Sequence, residues 1–147
     1  MSIGPGTRCG EHWRRLQAAQ VGPDAHRCGA IGTYGYTGFG NVFANNAAGL
    51  PPGIISRNGT ISFDGNGNVH IREAEMVDGQ LIATAATFQG TYTLNADCTF
   101  AATLEPLPGT AFVGVFGDNG KQLRSMLTVP GVQINYVSSV RIQPIED

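Results

Sequence analysis

From Gly32 onward the chain alternates between two side-chain sets with a period of two, β-branched and aromatic residues recurring at every second position. This alternation constrains the fold more than any other feature, because only extended strands place every second side chain on one face. Six clusters interrupt it: Asp64-Gly65-Asn66-Gly67, Asp78-Gly79, Asn95-Ala96-Asp97, Pro108-Gly109, Asp118-Asn119-Gly120 and Pro130-Gly131. Such residues supply tight turns. They predict strands over 32–43, 54–63, 68–77, 80–94 (bent near Gly90), 98–105, 110–117, 121–129 and 131–143. Connections this short join antiparallel neighbours. A meander of about eight strands without covering helices must hide its edges, and closure into a barrel does so most directly; a sandwich is the alternative. The one long connection, 44–53, holds Asn45-Asn46 and Pro51-Pro52 and is expected to lie over an opening.

Composition agrees with this all-β reading. Glycine supplies 21 of 147 residues and charged residues only 14%, while 41% hydrophobic residues suffice for one core. One short N-terminal helix is expected over Glu11 to Gln20, with Trp13 and Leu16 on one side and Gly22-Pro23 as its stop. The chain thus divides into an N-terminal helical segment and connector, 1–31, and a β-barrel domain, 32–147. A net charge of −2 offers no footprint for nucleic acid or an anionic membrane. No apolar run is long enough for a membrane helix or a secretory leader, so a cytoplasmic location is expected, with secretion not excluded. Cys9 and Cys28 can bridge in an oxidising compartment; otherwise they are ordinary thiols. Cys98 reads as a buried thiol rather than a nucleophile.

Several motifs are weaker than they look. Asp64, Asn66, Asn68 and Glu75 copy ligand positions of a calcium-binding helical loop, but Val69 stands where that loop needs glycine, and the flanks read as strands. Neither a metal nor a cofactor is therefore expected. The run Gly35-Tyr36-Thr37-Gly38-Phe39-Gly40 lacks the following helix of a dinucleotide site, and reads as a strand approached closely by a neighbour.

Polar residues on apolar strand faces carry more information. On 68–77, Glu73 and Glu75 share a face with Val69 and Ile71, opposite His70 and Arg72. A carboxyl inside a dry barrel has a raised pKa suited to proton transfer; the competing reading is a solvated strand. Tyr34 and Tyr36 share one face of the first strand, and Tyr136 shares the apolar face of the last with Ser138, Val140 and Ile142. Closure brings first and last strands together, so the three tyrosines either line a pocket or fill the core. Arg124 is a further polar candidate. The candidate catalytic set is Tyr34, Tyr36, Glu73, Glu75, Arg124 and Tyr136.

The segments Gly32-Thr33-Tyr34-Gly35-Tyr36, Ile61-Ser62-Phe63-Asp64-Gly65-Asn66-Gly67-Asn68-Val69 and Gly90-Thr91-Tyr92-Thr93-Leu94-Asn95-Ala96-Asp97-Cys98-Thr99 resemble those of small bacterial β-barrel proteins of largely unknown function. The resemblance covers about residues 32–143 and implies the fold. In general shape the chain is also similar to lipocalin-like and allene-oxide-cyclase-like barrels, which bind hydrophobic molecules and in some pathways cyclise them without a cofactor. The resemblance implies a cofactor-independent cyclase or isomerase for a hydrophobic small molecule. The alternatives are a non-catalytic carrier and a barrel filled by its own side chains. Aromatic residues expected at the surface, Phe39 and Phe43, make a homodimer plausible.

Overall fold

The computed structural model describes residues 27–143, with backbone alone at 137–140 and 143. The expected helix at 11–20, with Trp13, and Cys9 lie outside the described residues. Eight strands follow in chain order: β1 (Gly32–Val42), β2 (Gly53–Phe63), β3 (Asn68–Val77), β4 (Gln80–Leu94), β5 (Thr99–Leu104), β6 (Phe112–Gly117), β7 (Gln122–Leu127) and β8 (Val132–Gln143). Each pairs antiparallel with the next, and β8 closes on β1, so the sheet is a closed up-and-down barrel. Among the described residues no helix is long and apolar enough to cross a membrane.

The turns form as their residues dictate. Asp64 accepts from the backbone N–H groups of Asn66 (2.7 Å) and Asn68 (3.0 Å) and from the Asn68 amide, which closes the β2–β3 hairpin. β5 starts one residue later than expected because Cys98 adopts φ +67° in the turn, where Asp97 accepts from Thr99. The 44–52 connection is built around Asn46, whose side chain donates to the carbonyls of Phe43 (3.0 Å) and Leu50 (2.9 Å) and accepts from the Leu50 N–H.

Two strands depart from simple alternation. At Gly90, where a bend was expected, β4 pairs in register with both Val69 and Leu104, and its register irregularities fall between Ala86 and Leu81. Gly90 serves a close approach instead, since a Cβ would stand 1.8 Å from the Thr103 carbonyl oxygen. In β8 the pairings Gly38↔Tyr136 and Gly35↔Val140 differ by one residue in length, a bulge that reverses the inward and outward sets. Ile142, expected to share the face of Tyr136, is accordingly exposed, and Arg141 reaches the interior.

One end of the barrel is closed by rings. Phe63 packs edge-on against Tyr34, Tyr92, Phe100 and Phe116, at centroid distances of 6.0, 5.0, 5.5 and 5.0 Å. Each such pair adds about 0.5–1.5 kcal/mol beyond burial. Cys28 and Ala30 are buried in this floor, so part of the expected connector is a plug. Its backbone carbonyls are satisfied by barrel side chains: Tyr92 Oη donates to Ala30 O (3.3 Å), and Arg141 donates to Gly29 O. Tyr34 Oη donates to Gly120 O (2.5 Å) and accepts from Arg141. Cys28 is bridged to Cys98, 70 residues away, which corrects the Cys9–Cys28 pairing and the free Cys98 considered from spacing. The plug sets this pairing: it carries Cys28 into the floor beside the β4–β5 turn.

Candidate functional site

Beyond the aromatic floor the barrel holds a cavity. Its volume is about 80 Å³. Most of its wall is apolar, with Ile61, Ile71, Phe88 and Leu104 from the strands, Ala48 and Leu50 from the 44–52 loop, and Leu107 from the β5–β6 connection. The expectation that 44–53 lies over an opening therefore agrees with where Ala48 and Leu50 stand.

Six polar side chains interrupt this wall, one of them Ser125 of β7. Strand alternation aims Tyr36, Arg57, Glu73, Glu75 and Tyr136 inward from β1, β2, β3 and β8. Arg57, Glu73 and Glu75 are only 7%, 4% and 4% exposed. Arg57 sits at the centre: Nη1 is 3.5 Å from Glu73 Oε1 and donates to Tyr136 Oη (3.2 Å), while Nη2 is 3.0 Å from Glu75 Oε1. Tyr36 Oη donates to Glu73 Oε2. The Tyr36 and Tyr136 rings meet edge to face at 5.0 Å. Gly38 makes room for that pair, because a Cβ there would come 2.5 Å from the Tyr136 ring.

Burying charges in an apolar wall is costly unless they are paired. Here one guanidinium faces two carboxyls. Burial pushes Glu73 up to about 7; Arg57 opposes the rise and Glu75 adds to it. Burial also pushes Tyr136 up to about 12, and raises Tyr36 well above the ordinary phenol value, with Glu73 adding to the effect. For Arg57 burial opposes the charge, but Tyr136, Glu73 and Glu75 outweigh it and hold the group protonated. Two polar atoms keep unused capacity. Arg57 Nε and Glu75 Oε1 are buried without a hydrogen-bond partner, the latter because its ion pair with Arg57 is out of line for one.

Of the six residues singled out from sequence, Tyr36, Glu73, Glu75 and Tyr136 meet on this wall. Tyr34, two residues from Tyr36 on the same face, belongs to the floor and does not line the cavity. Arg124 is exposed on the outer face of β7, because Leu123, Ser125 and Leu127 take its inner face. It borders an outer groove with Val113, Val115 and Met126. Arg57 was not singled out, although Ile55, Ile61 and Phe63 on the same face of β2 mark it as a charge at an apolar position. His70 and Arg72 lie on the exposed face of β3. Glu75, the last position of the calcium-like spacing, is inside the barrel beside Arg57, while Asp64 is engaged by its own turn. Among the described residues no group of His, Cys, Asp and Glu side chains could hold a metal ion.

Fold and site define a small eight-stranded up-and-down barrel with an aromatic floor and a buried ionic cluster on the wall of an apolar cavity. Compared with protein families, curated proteins and solved structures, the chain matches none.

Proposed function

We propose that the protein is a cofactor-independent cyclase or isomerase acting on a hydrophobic small molecule in the barrel cavity, with Glu73 as the group that moves the proton. The observation that carries this reading is the Glu73 carboxyl, buried on an apolar wall and hydrogen-bonded to Tyr36, where burial pushes its pKa up to about 7. A general acid or base works best when its pKa lies near the working pH. Tyr136 Oη accepts from Arg57, which leaves its own proton for a substrate carbonyl. The unpartnered Arg57 Nε and Glu75 Oε1 suit a polar head that carries one acceptor and one donor, such as the enol of a ketone. With Glu73 protonated, Arg57 and Glu75 already balance, so a neutral head adds no uncompensated charge. Orientation by the apolar wall supplies the remainder of the rate.

A carrier is the second reading, favoured by the Cys28–Cys98 bridge. Structural disulfides persist chiefly in oxidising compartments, where small barrels that ferry hydrophobic ligands also work. Cyclohexanone in D2O separates the two readings. For an isomerase, the protein accelerates exchange of the α-hydrogens, more so as pH rises through about 7, and Glu73→Gln removes about tenfold to a thousandfold of that rate. Binding seen by NMR shift changes without accelerated exchange identifies the carrier. Absence of both counts against the isomerase and the carrier alike.

A further inference from the structure

The barrel is closed, yet one strand outruns its neighbour. β4 is 15 residues long and β5 only 6. β5 joins β4 from Gly90↔Leu104 onward, and one further bond, Glu105 N–H to Gln89 O (2.9 Å), ends the contact. Between Leu81 and Phe88 the strand pairs with β3 on one side, as at Leu81↔Met76 and Phe88↔Ile71. Its other edge has no backbone partner among the described residues.

An open edge is a template for another strand, and proteins usually blunt it with lysine, proline or a bulge. This one carries neither charge nor proline from Gly79 to Ala96. Only the two irregularities between Ala86 and Leu81 bend it. Leu81 and Ile82 are exposed on it. Along the outer face the register Phe39↔Ser56, Ser56↔Met76 and Met76↔Leu81 forms one row that ends at this edge, with Phe39, Met76 and Leu81 all exposed.

We infer that the β4 edge, residues 81–88, is a dimer interface at which two copies of this chain pair antiparallel, strand to strand, about a two-fold axis near Thr84 and Ala85. Lipid does not fit, because a hydrocarbon surface leaves edge N–H and C=O groups unsatisfied. The chain's own residues 1–26 fit less well: they carry Arg8, Glu11, Arg14, Arg15 and Asp24, charges for which this uncharged edge holds no partner. A second copy fits on both counts. Antiparallel pairing of one edge with itself is isologous and closes after two subunits. The uncharged segment sets no like charges opposite each other.

Sedimentation of the full chain at tens of micromolar, with amide exchange over 81–88, tests this. The expected result is a dimer whose 81–88 amides are protected and lose protection on dilution. Thr84→Lys, at an exposed position, should raise the dimer dissociation constant about tenfold or more while leaving the thermal melt of the dilute protein unchanged. Mixing T84K with T84E should restore the dimer. Val115→Lys, an exposed position on β6, should leave it intact. A monomer with freely exchanging 81–88 amides overturns the inference. So does a monomer with those amides protected, which assigns the edge to the chain's own terminus, and so does a dimer indifferent to T84K.

Discussion

Tyr34 and Tyr36 sit two residues apart on one face of one strand, yet they belong to two regions with different physics. Tyr34 enters the floor, where its ring packs on Phe63 and Phe116 and its hydroxyl donates to the Gly120 carbonyl. Tyr36 enters the cavity, where its hydroxyl meets the Glu73 carboxyl and its ring leans on Tyr136. In the floor the Tyr34 and Tyr92 hydroxyls are taken up by the carbonyls of Gly120 and Ala30, Arg141 Nε is left without a partner, and rings fill the remaining space. On the cavity wall a guanidinium faces two carboxyls, one of which is held near neutrality, and two polar atoms have no partner. The contrast teaches that one barrel can separate its tasks along its axis. One end concentrates packing, and the other leaves electrostatic work unfinished.

The largest expected effect breaks the floor. Replacing both bridging cysteines, Cys28→Ser with Cys98→Ser, frees a loop of 70 residues, for which chain entropy predicts a loss of about 4 kcal/mol. Chemical denaturation of the variant checks the figure. The Glu73 titration near pH 7, followed by carboxyl carbon NMR, should persist in whatever fraction stays folded; its collapse would show that floor and cavity are one unit.

The second effect concerns the cavity and depends on pH. Glu73 titrates at about 7 in the barrel against an ordinary 4.5. Below 4.5 the carboxyl is protonated in folded and unfolded chains alike and burial of its charge costs nothing. Between 4.5 and about 7 the unfolded chain gives up the proton while the barrel retains it, so stability falls as pH rises; above about 7 the cost is constant. Glu73→Gln removes this dependence, and its stability relative to the natural chain should improve by about 3 kcal/mol between pH 4 and pH 8. Denaturation at the two pH values measures it, and an equal difference at both would mean that Glu73 is solvated.

The smallest effect sharpens the contrast between the tyrosines. Tyr34→Phe leaves the buried Gly120 carbonyl without its donor and should cost about 1–2 kcal/mol, with the Glu73 titration unmoved. Tyr36→Phe should cost about 1 kcal/mol or less but raise the Glu73 pKa further, because the Tyr36 hydroxyl is one of the groups holding it down. Carboxyl NMR on both variants distinguishes the two behaviours.

Much of the architecture was legible in the chain. The alternation after Gly32 and the six turn clusters place all eight strands, since extended backbone and φ > 0 turn residues are local properties. For Glu73 and Glu75 the sequence left two readings open, an inward face shared with Val69 and Ile71 or a solvated strand, and both carboxyls are buried. Other features were not legible for identifiable reasons. Ile142 was expected with Tyr136, but a bulge in β8 reverses the faces between them, and such an extra residue depends on how β8 fits both β1 and β7. Arg124 was a polar candidate on β7, yet Leu123 and Leu127 on the opposite face occupy the interior and leave it outside.

What the sequence by itself determined is therefore the set of strands and the turns that make them antiparallel, both of which rest on interactions between near neighbours. What only the tertiary structure decided is which distant groups share the interior. It joined Cys28 to Cys98, parted Tyr34 from Tyr36, and set Arg57 against Tyr136, 79 residues away, and against two carboxyls. A buried charge is unfavourable alone and becomes tolerable through its partners, so Arg57 reads as an anomaly until barrel closure supplies them.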